Sequence, residues 1–296
     1  MTAAERADTT SAPTTERSLA DLSTETRKLI LQTVHTAGAG HIGGPLSVTD
    51  ILVNLYFDRL HVDPANPVAP DRDRLILSKG HSSIALYTVL ALRGYFPVAE
   101  LPTFDAIDSR LQGHPDMKLL PGLDMSSGSL GQGLSPGIGM ALGGRLSELD
   151  FRTWVILGDG EIQEGQIWEA AFVASRYKLN TLTAIVDYNR LPQFGWPDAS
   201  GHTRDVPIDD PGAKFAAFGW NVVETDGHDH AALSQAFDAA VAHTDGPTVI
   251  VAHTVKGKGV SFMENDFMWH ATPPNAEQLA QALAELDAAA AKGAAR

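Results

Sequence analysis

Cysteine is absent from the 296-residue chain, which removes disulfides, thiolate zinc sites, iron–sulfur clusters and a cysteine nucleophile together. Basic residues are few: 22 Lys and Arg stand against 36 Asp and Glu, a formal net charge of −14. No Lys/Arg run offsets that field, so nucleic acid and membrane surfaces are not expected partners. Long apolar runs are missing too, and none approaches the roughly 20 residues of a membrane span. The stretch from Met1 to Arg17 is rich in Thr, Ala and charge and lacks the apolar centre of a secretory signal. These absences make a cytoplasmic, reducing location the expectation. What is present is globular, with 44% hydrophobic and 20% charged residues, and the chain is long enough for one large or two ordinary domains.

The composition predicts a disordered tail over 1–17, a folded unit over 18–287 and a flexible end over 288–296. Leu19, Leu22, Leu29, Ile30 and Val34 recur at helical spacing from Ser18 to Thr36, and the Gly-rich stretch Gly38 to Gly44 breaks the pattern. A second helix is predicted from Val48 to Leu60. Short apolar runs follow at Arg74–Leu77, Thr153–Leu157, Leu182–Val186, Trp220–Glu224 and Thr248–Ala252, each stopped by Gly, Asp, Asn, His or Ser. Helical stretches lie between them, such as Trp168, Ala171, Phe172 and Ser175, and a last helix begins near Asn275. Strands alternating with helices predict an α/β fold, a mostly parallel sheet with helices on both faces. Trp154, Phe172 and Trp220 are expected in the core. Ligands of such sheets bind beyond the carboxyl ends of the strands, so function is sought there.

After the strand at 153–157 comes Gly158-Asp159-Gly160-Glu161. Flanking glycines let the backbone turn sharply, and a short carboxylate at a strand end is a hard oxygen donor suited to Mg²⁺. By itself the tetrapeptide reads as an ordinary acidic turn. The next strand ends in Val186-Asp187-Tyr188-Asn189-Arg190-Leu191, which sets Asn189 thirty positions after Asp159. One strand–helix–strand unit takes about thirty residues, so the two side chains can meet at neighbouring strand ends. A carboxylate, an amide oxygen and a nearby main-chain carbonyl make half of an octahedral shell, which phosphate oxygens and water would complete.

This pattern resembles the signature of thiamine diphosphate enzymes, and GDGEIQEGQIWEA resembles the transketolase branch in particular. GAGHIGGPLS, LSKGHSS, GHPD, GSLGQG, GDGEIQEG, VDYNRLPQ, VKGKG and MWH occur in the order that transketolase amino-terminal, diphosphate-binding domains show, from about Leu19 to Leu286. The resemblance implies a thiamine diphosphate-binding fold and transfer of a two-carbon ketol unit from a ketose to an aldose, phosphorylated or not. It implies that Asp159, Asn189 and the main-chain carbonyl of Leu191 hold Mg²⁺, with Ca²⁺ or Mn²⁺ as substitutes, and that Gly160 contacts the diphosphate. Gly128, Ser129 and Leu130 match the stretch against the aminopyrimidine, where Leu130 would offer an apolar wall. His81 and His270 match histidines near the diphosphate and thiazolium. His41 and His114 match those touching sugar oxygens, which makes His41, His114 and His270 the candidate proton carriers. Gln193 and Lys256 match positions near the cofactor in some branches, and Lys79 is a weaker candidate.

Glu164 opens the helix after the GDG turn, where an acid stabilises a helix N-terminus by about 0.3–1 kcal/mol. The resemblance instead implies a place at a dimer interface, near its symmetry mate, where two carboxylates share a proton. It also implies something missing. The pyrimidine-activating glutamate and the phosphate-binding arginines belong to a second α/β domain, and too little chain follows His270 to form one. The expected partner is a separate carboxyl-terminal subunit supplying that glutamate, in an α2β2 heterotetramer. Ile42, Tyr188 and Ala271 depart from the family pattern, which has proline, an acidic or small residue, and glycine there; sugar choice stays open.

Two other readings stay open as well. One is a half enzyme of the 1-deoxyxylulose phosphate synthase type, against which Glu164 and the pair His41 and His114 argue. The other is a silent subunit that has kept the fold. Unusual sugars of catabolism or secondary metabolism form a third variant with the chemistry unchanged. His35, His61, His202, His228, His230, His243 and His253 are read as structural. His228 and His230 have zinc-like spacing without a second pair of ligands. The stretch from Gly131 fails as a dinucleotide fingerprint because Pro136 replaces its third glycine.

Overall fold

The computed structural model describes residues 17–193 and 210–294. The tail expected over 1–17 thus lies outside the described residues except for Arg17, as does His202. Five parallel strands form one sheet: β1 (Arg74–Leu77), β2 (Thr153–Gly158), β3 (Leu182–Tyr188), β4 (Asn221–Asp226) and β5 (Thr248–His253), in the order β1-β2-β3-β5-β4. Side chains alternate between its faces. Trp154 and Ile156 join one core, Val155 and Leu157 the other. The first core is covered by α1 (Leu19–Ala37), α2 (Gly43–Asn54), α3 (Ser83–Arg93), α7 (His230–Ala242) and α8 (Ala276–Ala294); the second by α4 (Leu134–Leu146), α5 (Gly165–Arg176) and α6 (Pro211–Ala217). No helix among the described residues is long and apolar enough to cross a membrane.

The first helix starts where its sequence dictates. Ser18 Oγ accepts from Asp21 N at 3.1 Å while the Asp21 carboxylate accepts from Ser18 N at 3.3 Å, a reciprocal capping box. Gly38, with φ of 63°, closes the other end. The second helix differs from the expected Val48–Leu60. It begins five residues earlier, at Gly43, because Pro45 falls in the first turn, where a missing N–H breaks no intrahelical bond. It ends at Asn54 and widens into a π-helical turn over Leu55–Arg59. All twelve residues of α2 are buried, which makes it the central helix of its layer.

Two further expectations are corrected. Trp154 and Trp220 are buried, but Phe172 is 61% exposed. The inward stripe of α5 is Ile167, Ala170, Ala171 and Ala174, which leaves Phe172 facing away from the sheet. At the other end, α8 runs on to Ala294, so the segment expected to be flexible from Ala288 is helical through that residue.

Candidate cofactor site

The carboxyl ends of β1, β2, β3 and β5 open into a cavity of about 770 Å³. Lys79 and His81 follow β1, the turn of Asp159, Gly160 and Glu161 follows β2, Asn189, Leu191 and Gln193 follow β3, and Lys256 follows β5. His41 enters from the loop before α2, His114, Gly128 and Leu130 from the connection between α3 and α4, and His270 from the 3-10 turn Phe267–His270. Two of the expected residues do not line it. Ser129 is exposed beside Leu130, and Glu164 is an exposed N-cap of α5 whose side chain caps no backbone N–H.

Four imidazoles come together from four separate segments. The His41 ring centroid lies 4.9 Å from His81, 5.0 Å from His270 and 6.4 Å from His114. The N–H of Ile42 donates to the His270 carbonyl at 3.1 Å, a bond that proline could not make. The departure from proline therefore fastens the His41 loop to the His270 turn. A Cβ on Gly80 would stand 2.7 Å from Gly128 N, so only glycine lets the segment after β1 pass that close to the stretch from Gly128 to Leu130.

Burial first, and then nearby positive charge, lowers the affinity of His41, His81 and His270 for a proton. His41 is pushed down to about 4 by burial, His114 and the two lysines. His270 falls to about 3 through burial, Lys256 and His41, and His81 lies well below its ordinary value through burial and Lys79. All three are neutral at pH 7, each with one N–H donor and one lone pair. An unfolded chain would protonate them near 6.5. Below that pH it binds more protons than the folded chain, so stability falls as pH drops from 7 towards 4. The expected loss by pH 5 is about 1–2 kcal/mol for each ring. Urea melts of the chain without cofactor at pH 7 and pH 5 measure it, and His81→Gln is expected to show a smaller drop than the unsubstituted chain.

Oxygen donors line the same cavity. Gly158 pairs with Asp187 across β2 and β3, so Asp159 and Asn189 leave adjacent strands side by side. Asp159 accepts from Gly160 N at 2.7 Å and from Arg190 N at 2.5 Å. Asn189 Oδ1 accepts from Leu191 N at 3.0 Å. Lys256 Nζ donates to the Leu191 carbonyl at 2.8 Å and lies 2.9 Å from His270 Nδ1. Burial, then the Asp187 carboxylate, pushes the Asp159 carboxyl up to about 6. A divalent cation would offset both effects, and a carboxylate, an amide oxygen and a carbonyl form a donor set that suits Mg²⁺. The residues present fit such an ion.

Sequence reasoning left two buried acids without a role. Asp187 forms an ion pair with Lys79 at 2.5 Å, both almost fully buried. Glu161 accepts from Gly131 N at 2.9 Å, Gly158 N at 3.0 Å and the Ser78 hydroxyl, tying the ends of β1 and β2 to the loop before α4. Spacing carries no sign of either arrangement. Four of the histidines read as structural have side-chain partners: His35 Nδ1 lies 2.8 Å from the Pro274 carbonyl, His228 Nδ1 lies 2.7 Å from Asp50 and its Nε2 accepts from Val255 N at 2.8 Å, His230 reaches Ser23 at 3.1 Å, and His253 reaches Glu224 at 2.9 Å.

Residues 19–292 match the family model described as "Transketolase, thiamine diphosphate binding domain". The SqwG subunit of a 6-deoxy-6-sulfo-D-fructose transketolase from Clostridium sp. strain MSTE9 is 42% identical over 88% of this chain and 93% of its own length. An apulose-4-phosphate transketolase subunit from Phocaeicola vulgatus is 40% identical over 89% and 92%. Human transketolase is 38% identical, but the match covers only 40% of it. Among solved structures, transketolase from Leishmania mexicana superposes with a TM-score of 0.85 at 28% identity, over 92% of this chain and 41% of the other. Matched along almost its whole described length, and nearly coextensive with relatives that are themselves subunits, the chain belongs to the transketolase thiamine diphosphate-binding domain family.

Proposed function

We propose that this chain is the cofactor-holding, amino-terminal subunit of a two-chain transketolase. The observation that carries the reading is the strand-end cavity itself, lined together by an oxygen donor set and four clustered imidazoles. The lengths support it as well: the chain is nearly coextensive with subunit-type relatives and spans about 40% of single-chain ones. When bound, thiamine diphosphate supplies the electron sink for breaking and making a carbon–carbon bond next to a carbonyl. Asp159, Asn189 and the Leu191 carbonyl would hold Mg²⁺ against the diphosphate, with Gly160 and His81 close to its oxygens. Gly128 and Leu130, with Ser129 beside them, would bracket the aminopyrimidine. Gln193 and Lys256 would close the diphosphate side.

His41, His114 and His270 would move protons at the sugar hydroxyls. The neutral ring of His41 can accept a proton from one hydroxyl while donating to another, which suits a polyol, and His270, whose Nδ1 faces the Lys256 ammonium, presents its Nε2–H as a donor. A carboxyl-terminal subunit would add the glutamate that activates the pyrimidine, in an α2β2 assembly located in the cytoplasm, with Glu164 near the contact between subunits. By their names the subunit-type relatives act on 6-deoxy-6-sulfo-D-fructose and on apulose-4-phosphate. The substrate class proposed here is accordingly an unusual ketose carrying an anionic group.

Mixing tests the reading. The full chain is combined with a candidate carboxyl-terminal subunit, thiamine diphosphate and Mg²⁺, and ketose donors are screened by mass spectrometry of the products. Two-carbon transfer that requires both chains is the expected result, with His41→Asn lowering kcat/KM by about 10²–10⁴-fold. Transfer by this chain alone, at a rate the companion does not change, would overturn the split-enzyme reading.

A further inference from the structure

We infer that Ser47 is a positioning residue for the metal site: its hydroxyl fixes which end of the Asn189 amide faces the ion. The inference rests on the cofactor reading above. Asp187, wholly buried at the end of β3, receives the Lys79 ammonium at 2.5 Å, the Ser47 hydroxyl at 2.6 Å and the Thr254 hydroxyl. An ionised carboxylate only accepts, and an ammonium only donates. Ser47 must therefore give its one proton in the direction of Asp187, sharing it at most with the Gly44 carbonyl at 2.9 Å. What remains on Ser47 Oγ is a lone pair, and Asn189 Nδ2 stands 3.3 Å from it.

The polarity then runs one way, from the Asn189 NH₂ to the Ser47 hydroxyl to the Asp187 carboxylate. Inverting the amide would set Oδ1 against a lone pair and turn NH₂ towards Leu191 N, a donor facing a donor. Oδ1 is thus held on the side of Leu191 and the cavity. Lys79 is ion-paired with Asp187, and Ser47, buried on α2 and 140 positions away from Asp187, joins that pair to the ligand. Neither Ser47 nor Asp187 is among the residues lining the cavity, so both act through Asn189. Partners that orient a metal ligand typically govern about 10–100-fold of its metal affinity.

The test is Mn²⁺ binding by the full chain at saturating thiamine diphosphate, read as free Mn²⁺ by electron paramagnetic resonance. Ser47→Ala is expected to weaken Mn²⁺ binding about tenfold. Asn189→Asp has no amide to invert, so adding Ser47→Ala to it is expected to change affinity less than about twofold. Mn²⁺ binding by Ser47→Ala equal to the unsubstituted chain would overturn the inference, and so would a tenfold loss that persists with Asn189→Asp. If Ser47→Ala fails to fold, Ser47→Thr keeps the hydroxyl and is expected to bind Mn²⁺ normally; a tenfold loss there overturns the inference equally. No Mn²⁺ binding by the unsubstituted chain would remove the cofactor reading, and this inference with it.

Discussion

Asp159→Asn is expected to lower Mg²⁺ affinity by about three orders of magnitude at saturating thiamine diphosphate, and to abolish ketol transfer at ordinary Mg²⁺ concentrations. Asp159 is the one charged side chain in the oxygen donor set; the Asn189 amide and the Leu191 carbonyl are neutral. Two unit charges about 4 Å apart attract by about 4 kcal/mol at an effective dielectric constant of about 20, and about 1.4 kcal/mol is a factor of ten. The chain's own cations make that charge indispensable, since Lys256 already donates to the Leu191 carbonyl. Asparagine is nearly the same size and keeps one acceptor for Gly160 N or Arg190 N, so the turn is expected to hold. An apo melting midpoint within a few degrees of the unsubstituted chain is the control, and Mn²⁺ titration by electron paramagnetic resonance is the measurement. Affinity reduced by less than about tenfold would move the ion away from Asp159.

How much of this site was legible in the sequence depended on whether the information was local. The strand ends at Leu77, Gly158 and Tyr188 could be read nearly to the residue, because buried parallel strands are continuous apolar runs cut off by polar or turn-forming residues. The meeting of Asp159 with Asn189 followed from the length of one strand–helix–strand unit. The start of α2 did not follow, since two glycines and a proline read as a breaker unless the proline happens to occupy a first turn. Phe172 was misplaced because α5 buries small residues inward and carries a ring outward, the reverse of the usual weighting. The relay from Lys79 through Asp187 and Ser47 to Asn189 joins three separate segments, and no periodicity records a contact across 140 positions. The histidine cluster is named by family resemblance; its centroid distances, and the burial that keeps His41, His81 and His270 neutral, come from the fold.

Asp50→Ala is expected to cost about 3–5 kcal/mol, a large part of the roughly 5–15 kcal/mol that holds a domain together. Asp50 lies on α2 and is buried; it takes Arg27 Nη1 at 3.0 Å and Nη2 at 2.5 Å, and His228 Nδ1 stands 2.7 Å away. Burial would push its carboxyl up, but the Arg27 guanidinium and His228 overcome that and hold it well below the usual carboxylate range. A depressed carboxyl contributes stability that is fully present above the unfolded value near 4 and is lost as pH falls towards the folded value. The gap between Asp50→Ala and the unsubstituted chain is therefore expected to stay constant from pH 7 to about 5 and to narrow below about 4. Most of the cost comes from leaving Arg27 charged and unpaired in the interior, so Arg27→Met with Asp50→Leu is expected to be more stable than either single variant. Urea melts of the four proteins make the comparison, and a double variant as unstable as the two single losses added together would rule the stranded charge out as the cause. The site would register the change as well. His228 Nε2 accepts from Val255 N, one residue before the lysine that reaches Leu191 and His270, so loosening Asp50 loosens the backbone that aims Lys256.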